Sequence, residues 1–95
     1  MKNLTLLKEM IVDFFKDDKV KIIIFGSRAR EDNYPNSDVD IGIIPYERLD
    51  AVRIAILKER IENSNIPYKV EIVNFLEVSE EFKKEALKEV IIWKD

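Results

Sequence analysis

Three short runs of mostly branched apolar residues divide this 95-residue chain and limit what it can fold into. They read VKIIIF at residues 20–25, DVDIGII at residues 38–44 and KVEIVNF at residues 69–75. Runs of this length that are rich in valine and isoleucine are typical of strands. A chain with several such strands has to join them in a sheet and cover at least one face of it.

Apolar residues at helical spacing fill the segments around these runs. The spacing predicts helices over residues 4–16, over residues 51–63 and after Ser79. Asp50 and Ser79 precede the last two helices, where a short polar side chain caps a helix N-terminus. A short helical turn is also expected over residues 27–32, directly after the first strand.

The C-terminal part of the chain carries two apolar signals. Phe82, Ala86, Leu87 and Val90 predict one apolar face of the last helix. The run VIIW at residues 90–93 is too apolar for a free tail, so we expect it to pack on the domain's own core or on a sheet edge. The alternative is that this run binds a partner.

Together these elements predict an α+β fold in a single domain over residues 1–95. It consists of a small mixed β-sheet of three or more strands with helices packed against it, in the order αβ(α)βαβα. The bracketed helix in this order is the short turn that follows the first strand.

The chain has no cysteine and no histidine, which excludes several kinds of site. Zinc sites built from these residues and catalytic pairs of serine or cysteine with histidine are impossible. Acid–base or metal chemistry therefore has to rest on the 19 aspartates and glutamates. The net charge of −3 argues against direct nucleic-acid binding. Because no apolar run approaches the ~20 residues of a membrane span and the N-terminus is charged early, we expect a cytoplasmic protein that meets no membrane.

The stretch from Gly26 to Asp40 carries the most specific pattern in the chain. Gly26 and Ser27 follow the first predicted strand, and Asp38 and Asp40 open the second. Residues two apart on a strand point to the same face, so the two carboxylates are expected to face the same way. Carboxylates this close repel unless a cation lies between them, and a hard cation such as Mg²⁺ suits them. The alternative is a solvated acid pair at a strand start.

The Gly-Ser turn and a third acid extend this pattern. Glycine lets the backbone approach a phosphate closely, and Arg28 and Arg30 are near enough in sequence to neutralise phosphate charge. Glu71 lies between apolar residues of the third predicted strand, which makes it the candidate third carboxylate. The alternatives are surface ion pairs for the two arginines and a water-facing edge position for Glu71.

The segment GSRAREDNYPNSDVD resembles the signature of minimal nucleotidyltransferase domains, small members of the DNA polymerase beta-like nucleotidyltransferase superfamily. That signature is Gly-Ser, a spacer, Asp-x-Asp, and a later acid on the third core strand. Here it falls on Gly26, Ser27, Asp38, Asp40 and Glu71, although the family usually has aspartate at the last position. The resemblance covers essentially the whole chain.

The resemblance implies a domain that binds ATP with Mg²⁺, in a two-metal site, and transfers AMP to an acceptor hydroxyl while pyrophosphate leaves. It implies that Asp38 and Asp40 are catalytic and hold the metal ions. Glu71 would hold the catalytic metal or take the acceptor proton. Nucleotide binding would fall to four residues of the same segment: Gly26, Ser27, Arg28 and Ser37.

The resemblance also implies a partner. Larger relatives carry extra domains for their acceptors, so we expect the acceptor site of this chain to come from another protein, in a homo- or hetero-oligomer. The implied partner is a HEPN-domain RNase toxin, with this chain as its antitoxin and a tyrosine of the toxin as acceptor. Two alternatives stay open: a non-catalytic antitoxin that neutralises the toxin by binding, and an adenylyltransferase that acts on a small molecule.

Overall fold

The computed structural model describes residues 4–26, 38–67 and 69–95. Within these residues the chain forms three helices and four strands, in the order α1 (Thr5–Phe14), β1 (Val20–Phe25), β2 (Val39–Pro45), α2 (Ala51–Glu62), β3 (Val70–Asn74), α3 (Glu80–Ala86) and β4 (Ile91–Lys94). The predicted strands and the first two predicted helices are present, with ends that differ by at most two residues. The predicted helical turn over residues 27–32 lies outside the described residues.

The four strands of the described chain form one mixed sheet in the order β3-β2-β1-β4. β1 is antiparallel to both β2 and β4, whereas β2 is parallel to β3. The antiparallel pairing brings the end of β1 beside the start of β2. The parallel pairing brings the start of β3 to the same end of the sheet. The predicted α+β class with a small mixed sheet is therefore confirmed.

Helices α1 and α2 cover one face of this sheet. Leu7 and Ile11 of α1 and Leu57 of α2 are fully buried there. They belong to one cluster with alternate residues of the two central strands, which are Ile22, Ile24, Val39, Ile41 and Ile43. Because successive strand residues point to opposite faces, Asp40 and Gly42 of β2 lie on the other face.

The second face is covered by a smaller group of aromatic and aliphatic residues. Ile23, Phe25 and Phe75 are buried in it. The rings of Phe25, Phe75 and Phe82 of α3 meet edge to face, with centroids 5.4 to 5.9 Å apart. Gly42 makes room for this group, because a Cβ there would lie 2.6 Å from Cε1 of Phe75.

The helices begin where the sequence predicts and are short. The side chain of Asp50 accepts a hydrogen bond from Val52 N at 3.0 Å, and that of Ser79 accepts one from Phe82 N at 3.1 Å. Both predicted N-caps are therefore confirmed. In the ranges that the structure describes, no helix is long and apolar enough to cross a membrane.

The C-terminal apolar run forms β4, which pairs with β1 at one margin of the sheet. This pairing confirms that the run packs on a sheet edge. The prediction that Val90 continues the apolar face of the last helix is wrong, because α3 ends at Ala86 with Leu87 as its C-cap. A helix this short has little intrinsic stability, whereas Ile91 and Ile92, which are β-branched, pair with Ile24 and Ile23 of β1.

Candidate functional site

Strand register brings two of the predicted carboxylate residues to one end of the sheet. Phe25 of β1 pairs with Asp40 of β2, and Asp40 pairs with Glu71 of β3. The three residues form a row across neighbouring strands that lie about 4.8 Å apart. Paired residues share a face, and this row is on the face opposite α1 and α2. Asp40 is therefore the centre of the row, with β1 on one side and Glu71 on the other.

Gly26 directly follows Phe25 of this row, and its backbone lies against the side chain of Asp40. Its φ is +77°, in the left-handed region that favours glycine. A Cβ at this position would collide with Oδ2 of Asp40 and lie 3.3 Å from its Cγ. The backbone turn after β1 and the Asp40 carboxylate therefore adjoin each other, so both can face one bound ligand.

Asp38 lies one residue before β2 and is exposed. The residue after it is tied to the neighbouring strand, since Val39 N donates a hydrogen bond to the carbonyl of Lys69 at 2.9 Å. Asp38 has the sequence spacing that puts it on the same face as Asp40. Because it precedes the paired residues, register orients its side chain less firmly than that of Asp40.

Glu71 presents an accessible carboxylate beside Asp40. Its side chain is 51% exposed, and its Oε1 lies 3.6 Å from Nζ of Lys69. Among the described residues, no three acidic side chains come together closely enough to hold a metal ion. The structure thus aligns the backbones of Asp40 and Glu71, while the carboxylates of Asp38, Asp40 and Glu71 do not form a compact cluster.

The donors at this end of the sheet suit a hard divalent cation that is shared with a phosphate ligand. Asp38, Asp40 and Glu71 offer only oxygen atoms, which Mg²⁺ prefers. Mg²⁺ is usually held by one or two carboxylates together with substrate phosphates, and a closed cage of protein ligands is not needed. The half-buried Asp40 next to the turn at Gly26 fits this open kind of site.

Of the four residues predicted to bind the nucleotide, the structure describes Gly26. Ser27, Arg28 and Ser37 lie outside the described residues, as does Arg30. Their roles stay predictions from the sequence.

A cleft of about 240 Å³ opens beside Gly26, between the end of β1 and α3. Phe25, Phe82 and Ala86 supply its apolar lining, and Glu85, Lys88 and Glu89 its polar lining. Phe82 is 40% exposed there. The sequence predicted Phe82 and Ala86 only as one apolar helix face. The cleft itself depends on how α3 lies over β1, which no local pattern reveals.

A second cavity, a groove of about 400 Å³, runs along β3, which is at the end of the row away from Gly26. Both β3 and α2 contribute to it, and Glu71 is one of its lining residues. Its lining combines apolar residues with four charged ones: Lys58, Ile61, Glu62, Ile66, Lys69, Val70, Glu71 and Ile72. We call it the β3 groove.

The mixed sheet, with a Gly turn and two acidic residues at the ends of three adjacent strands, fits a nucleotidyltransferase type of fold. Residues 9–95 match the family described as Polymerase beta, Nucleotidyltransferase. This match covers most of the chain, so the chain belongs to that family, as the resemblance in its sequence implied.

A curated relative of the chain is the probable protein adenylyltransferase MntA of Haemophilus influenzae, which is 30% identical over 80 residues. The match covers 84% of this chain and 65% of the relative, so the chain spans just under two thirds of that protein's length.

Solved structures share the same fold. One described as a minimal nucleotidyltransferase has a TM-score of 0.73 at 24% identity, covering 93% of this chain and 90% of that one. A toxin–antitoxin complex with AMP-PNP has a TM-score of 0.70 at 21% identity, covering 90% of this chain and 71% of that one. A complex of a tri-AMPylated Shewanella oneidensis HEPN toxin with its MNT antitoxin has a TM-score of 0.66 at 19% identity, covering 96% and 71%.

Proposed function

We propose that this chain transfers AMP from ATP to a hydroxyl group of a HEPN-domain toxin, with a tyrosine as acceptor, and thereby acts as its antitoxin. The observation that carries the proposal is the row across the sheet, in which Asp40 lies between the turn at Gly26 and Glu71. Because the chain belongs to the nucleotidyltransferase family, we infer that this row serves nucleotidyl transfer.

The proposal gives the row and the residues next to it separate roles. The backbone at Gly26, with Ser27, Arg28 and Ser37, binds the outer phosphates of ATP. Asp38 and Asp40 hold Mg²⁺, which when bound neutralises phosphate charge. The cleft beside Gly26 has aromatic and apolar walls that suit a planar base.

The reaction exchanges one phosphorus–oxygen bond for another. The acceptor oxygen attacks the α-phosphorus and forms the new ester bond. The bond from that phosphorus to the oxygen bridging to the β-phosphate breaks, and pyrophosphate leaves with the electron pair. Glu71 takes the acceptor proton and passes it to water, since its carboxylate is accessible beside Asp40.

The partner is inferred from relatives. The MntA-like relative carries the name of a protein adenylyltransferase, and structural neighbours are complexes of a HEPN toxin with an MNT antitoxin. A cytoplasmic setting suits such a pair, and a chain with no cysteine needs no oxidising compartment.

A non-catalytic antitoxin that neutralises the toxin by contact is the second candidate. The observation in its favour is that Glu71 pairs with Lys69 and that the described carboxylates form no three-membered cluster. In that case the row across the sheet is inherited from active relatives, and binding alone neutralises the toxin.

One experiment distinguishes the two candidates. The chain is incubated with a purified HEPN-domain toxin from the same genome, Mg²⁺ and ATP labelled on its α-phosphate. We expect label on the toxin, and its loss in Asp38→Asn and Asp40→Asn. Asp17→Asn is the matched control, because Asp17 is exposed and precedes β1 at the opposite end of the sheet.

RNase activity of the toxin is measured in the same samples. If Asp38→Asn and Asp40→Asn still neutralise the toxin without labelling it, the adenylyltransferase proposal fails and the binding candidate stands. Labelling of a small hydroxyl compound without any toxin would favour the third possibility, a small-molecule acceptor.

A further inference from the structure

The order of strands around Asp40 defines two sides of the candidate site. The turn at Gly26 is on the β1 side, and Glu71 is on the β3 side. In phosphoryl-type transfer, the attacking and leaving oxygens lie roughly in line on opposite sides of the phosphorus. If the outer phosphates lie at Gly26, the acceptor hydroxyl has to arrive from the β3 side.

The β3 side offers a binding surface for the acceptor protein. β3 is the outermost strand there in the described chain, since it is hydrogen-bonded to β2 alone. The β3 groove lies between this strand and α2, and Glu71, one of its lining residues, also pairs with Asp40 at the candidate site. The two lysines and two glutamates that line it balance in charge, which disfavours a strongly charged polymer such as RNA.

The backbone of β3 can bind a further strand. Val39 N donates to the carbonyl of Lys69, and Phe75 N donates to the carbonyl of Ile43. Residues 69 and 75 therefore turn their backbone groups toward β2, as do the odd-numbered residues between them. Val70 and Ile72, at even positions, turn their N–H and carbonyl groups outward into the β3 groove.

The opposite margin of the sheet cannot serve the same purpose. β4 pairs with β1 at Ile22–Ile24, so both β1 and the turn at Gly26 lie between β4 and Asp40. A segment bound along β4 would approach from the side of the leaving pyrophosphate.

We propose that the acceptor protein docks an extended segment along the outer side of β3, in the β3 groove, and so presents its hydroxyl over Glu71. Backbone hydrogen bonds to Val70 and Ile72 hold the segment, as in other cases of strand addition. This inference rests on the proposed function, because that function decides on which side of Asp40 the phosphates lie.

Hydrogen exchange of the whole chain, with and without the HEPN-domain toxin, tests the docking edge directly. We expect slower exchange on binding in a peptide that covers residues 69–75, because the outward amides of Val70 and Ile72 become hydrogen-bonded. A peptide that covers residues 90–95 of β4 is the internal control and should be unchanged. Protection at residues 90–95 with none at residues 69–75 would overturn the inference.

Kinetics give a second, independent readout. Val70→Pro removes one outward N–H and should raise KM for the toxin by roughly three- to tenfold, the worth of one hydrogen bond, with KM for ATP unchanged. Lys58→Glu alters the groove from α2 without touching a strand, and should raise the same KM even if the proline variant folds poorly. Lys8→Glu, an exposed lysine on α1, is the matched control.

The two proposals fail in different ways. If the wild-type chain never labels the toxin but residues 69–75 are protected, the chemistry is wrong and the docking edge stands. If labelling proceeds while Val70→Pro and Lys58→Glu leave KM for the toxin unchanged, the chemistry stands and the docking edge is wrong.

Discussion

Gly26 and Asp40 adjoin so closely that a side chain at position 26 would overlap Oδ2 of Asp40. The residue type at position 26 therefore limits where the carboxylate 14 positions later can lie. The glycine allows the turn, with its φ of +77°, and at the same time leaves the space that the carboxylate occupies.

Gly26→Ala should disturb both the fold and the site. Forcing alanine into a positive φ costs of order 1–3 kcal/mol, and the added methyl group pushes the Asp40 carboxylate away. We expect a lower free energy of unfolding in urea and at least about a tenfold loss of AMP transfer, because a small misplacement in a catalytic site is costly.

The double variant Gly26→Ala with Asp40→Ala separates the two effects. It removes the overlap and leaves the backbone strain, so part of the lost stability should return. Equal stability of the double variant and Gly26→Ala alone would show that the overlap has no energetic weight.

Glu71→Gln should slow AMP transfer and leave ATP binding intact. The amide keeps the size of the side chain but cannot accept a proton, and loss of a general base typically costs 10²- to 10⁴-fold. Glu71→Asp should retain more activity, since it keeps the carboxylate. Glu77→Gln, at another exposed glutamate, is the control, and equal rates for Glu71→Gln and wild type would exclude Glu71 from the reaction.

Mg²⁺ and ATP together should stabilise the folded chain. A ligand at about 100 times its Kd adds roughly 2.7 kcal/mol to the free energy of unfolding. We expect a rise in Tm with both ligands that EDTA removes and that Asp40→Asn reduces. Asp13→Asn, an exposed residue of α1, should behave as wild type. An EDTA-resistant rise in Tm would mean that the nucleotide binds without the metal.

Gly42→Ala should destabilise the second face of the sheet. The new methyl group would lie 2.6 Å from Phe75 Cε1 and 2.9 Å from Ile23 Cγ1, in a buried group that has no spare space. Overpacking of this kind typically costs about 1–3 kcal/mol, measured by urea unfolding. Adding Phe75→Leu should recover part of the loss, and no recovery would point to strain elsewhere.

Arg53→Lys should weaken the contacts between α2 and the end of α1. Arg53 Nη2 donates to the carbonyl of Phe14 at 2.8 Å and to the carboxylate of Asp18, and its guanidinium lies 4.3 Å from the Phe14 ring centroid. A lysine cannot make this planar set of contacts, so we expect a loss of about 1–3 kcal/mol in unfolding. Arg60→Lys should cost less, because Arg60 is exposed and lies farther, at 5.1 Å, from the same ring.

Local patterns predicted most of the secondary structure. The runs at β1, β2 and β3 have compositions that favour strands, and Asp50 and Ser79 are side chains that cap helices. The last helix was predicted too long, because Val90 suits an apolar helix face as well as the approach to a strand. The pairing of β4 with β1 favoured the strand over the helix, and such pairing joins residues that are distant in the sequence.

The sequence alone determined which groups are available. With no histidine and no cysteine, it restricted the chemistry to carboxylates beside a Gly-Ser turn, and the period of two along a strand indicated that Asp38 and Asp40 share a face. Only the tertiary structure decided that Asp40 lies between Gly26 and Glu71, and that Glu71 is at the edge strand where it also lines the β3 groove. The reason is that neighbours across a sheet follow from strand order and register, which arise from contacts between residues distant in the chain.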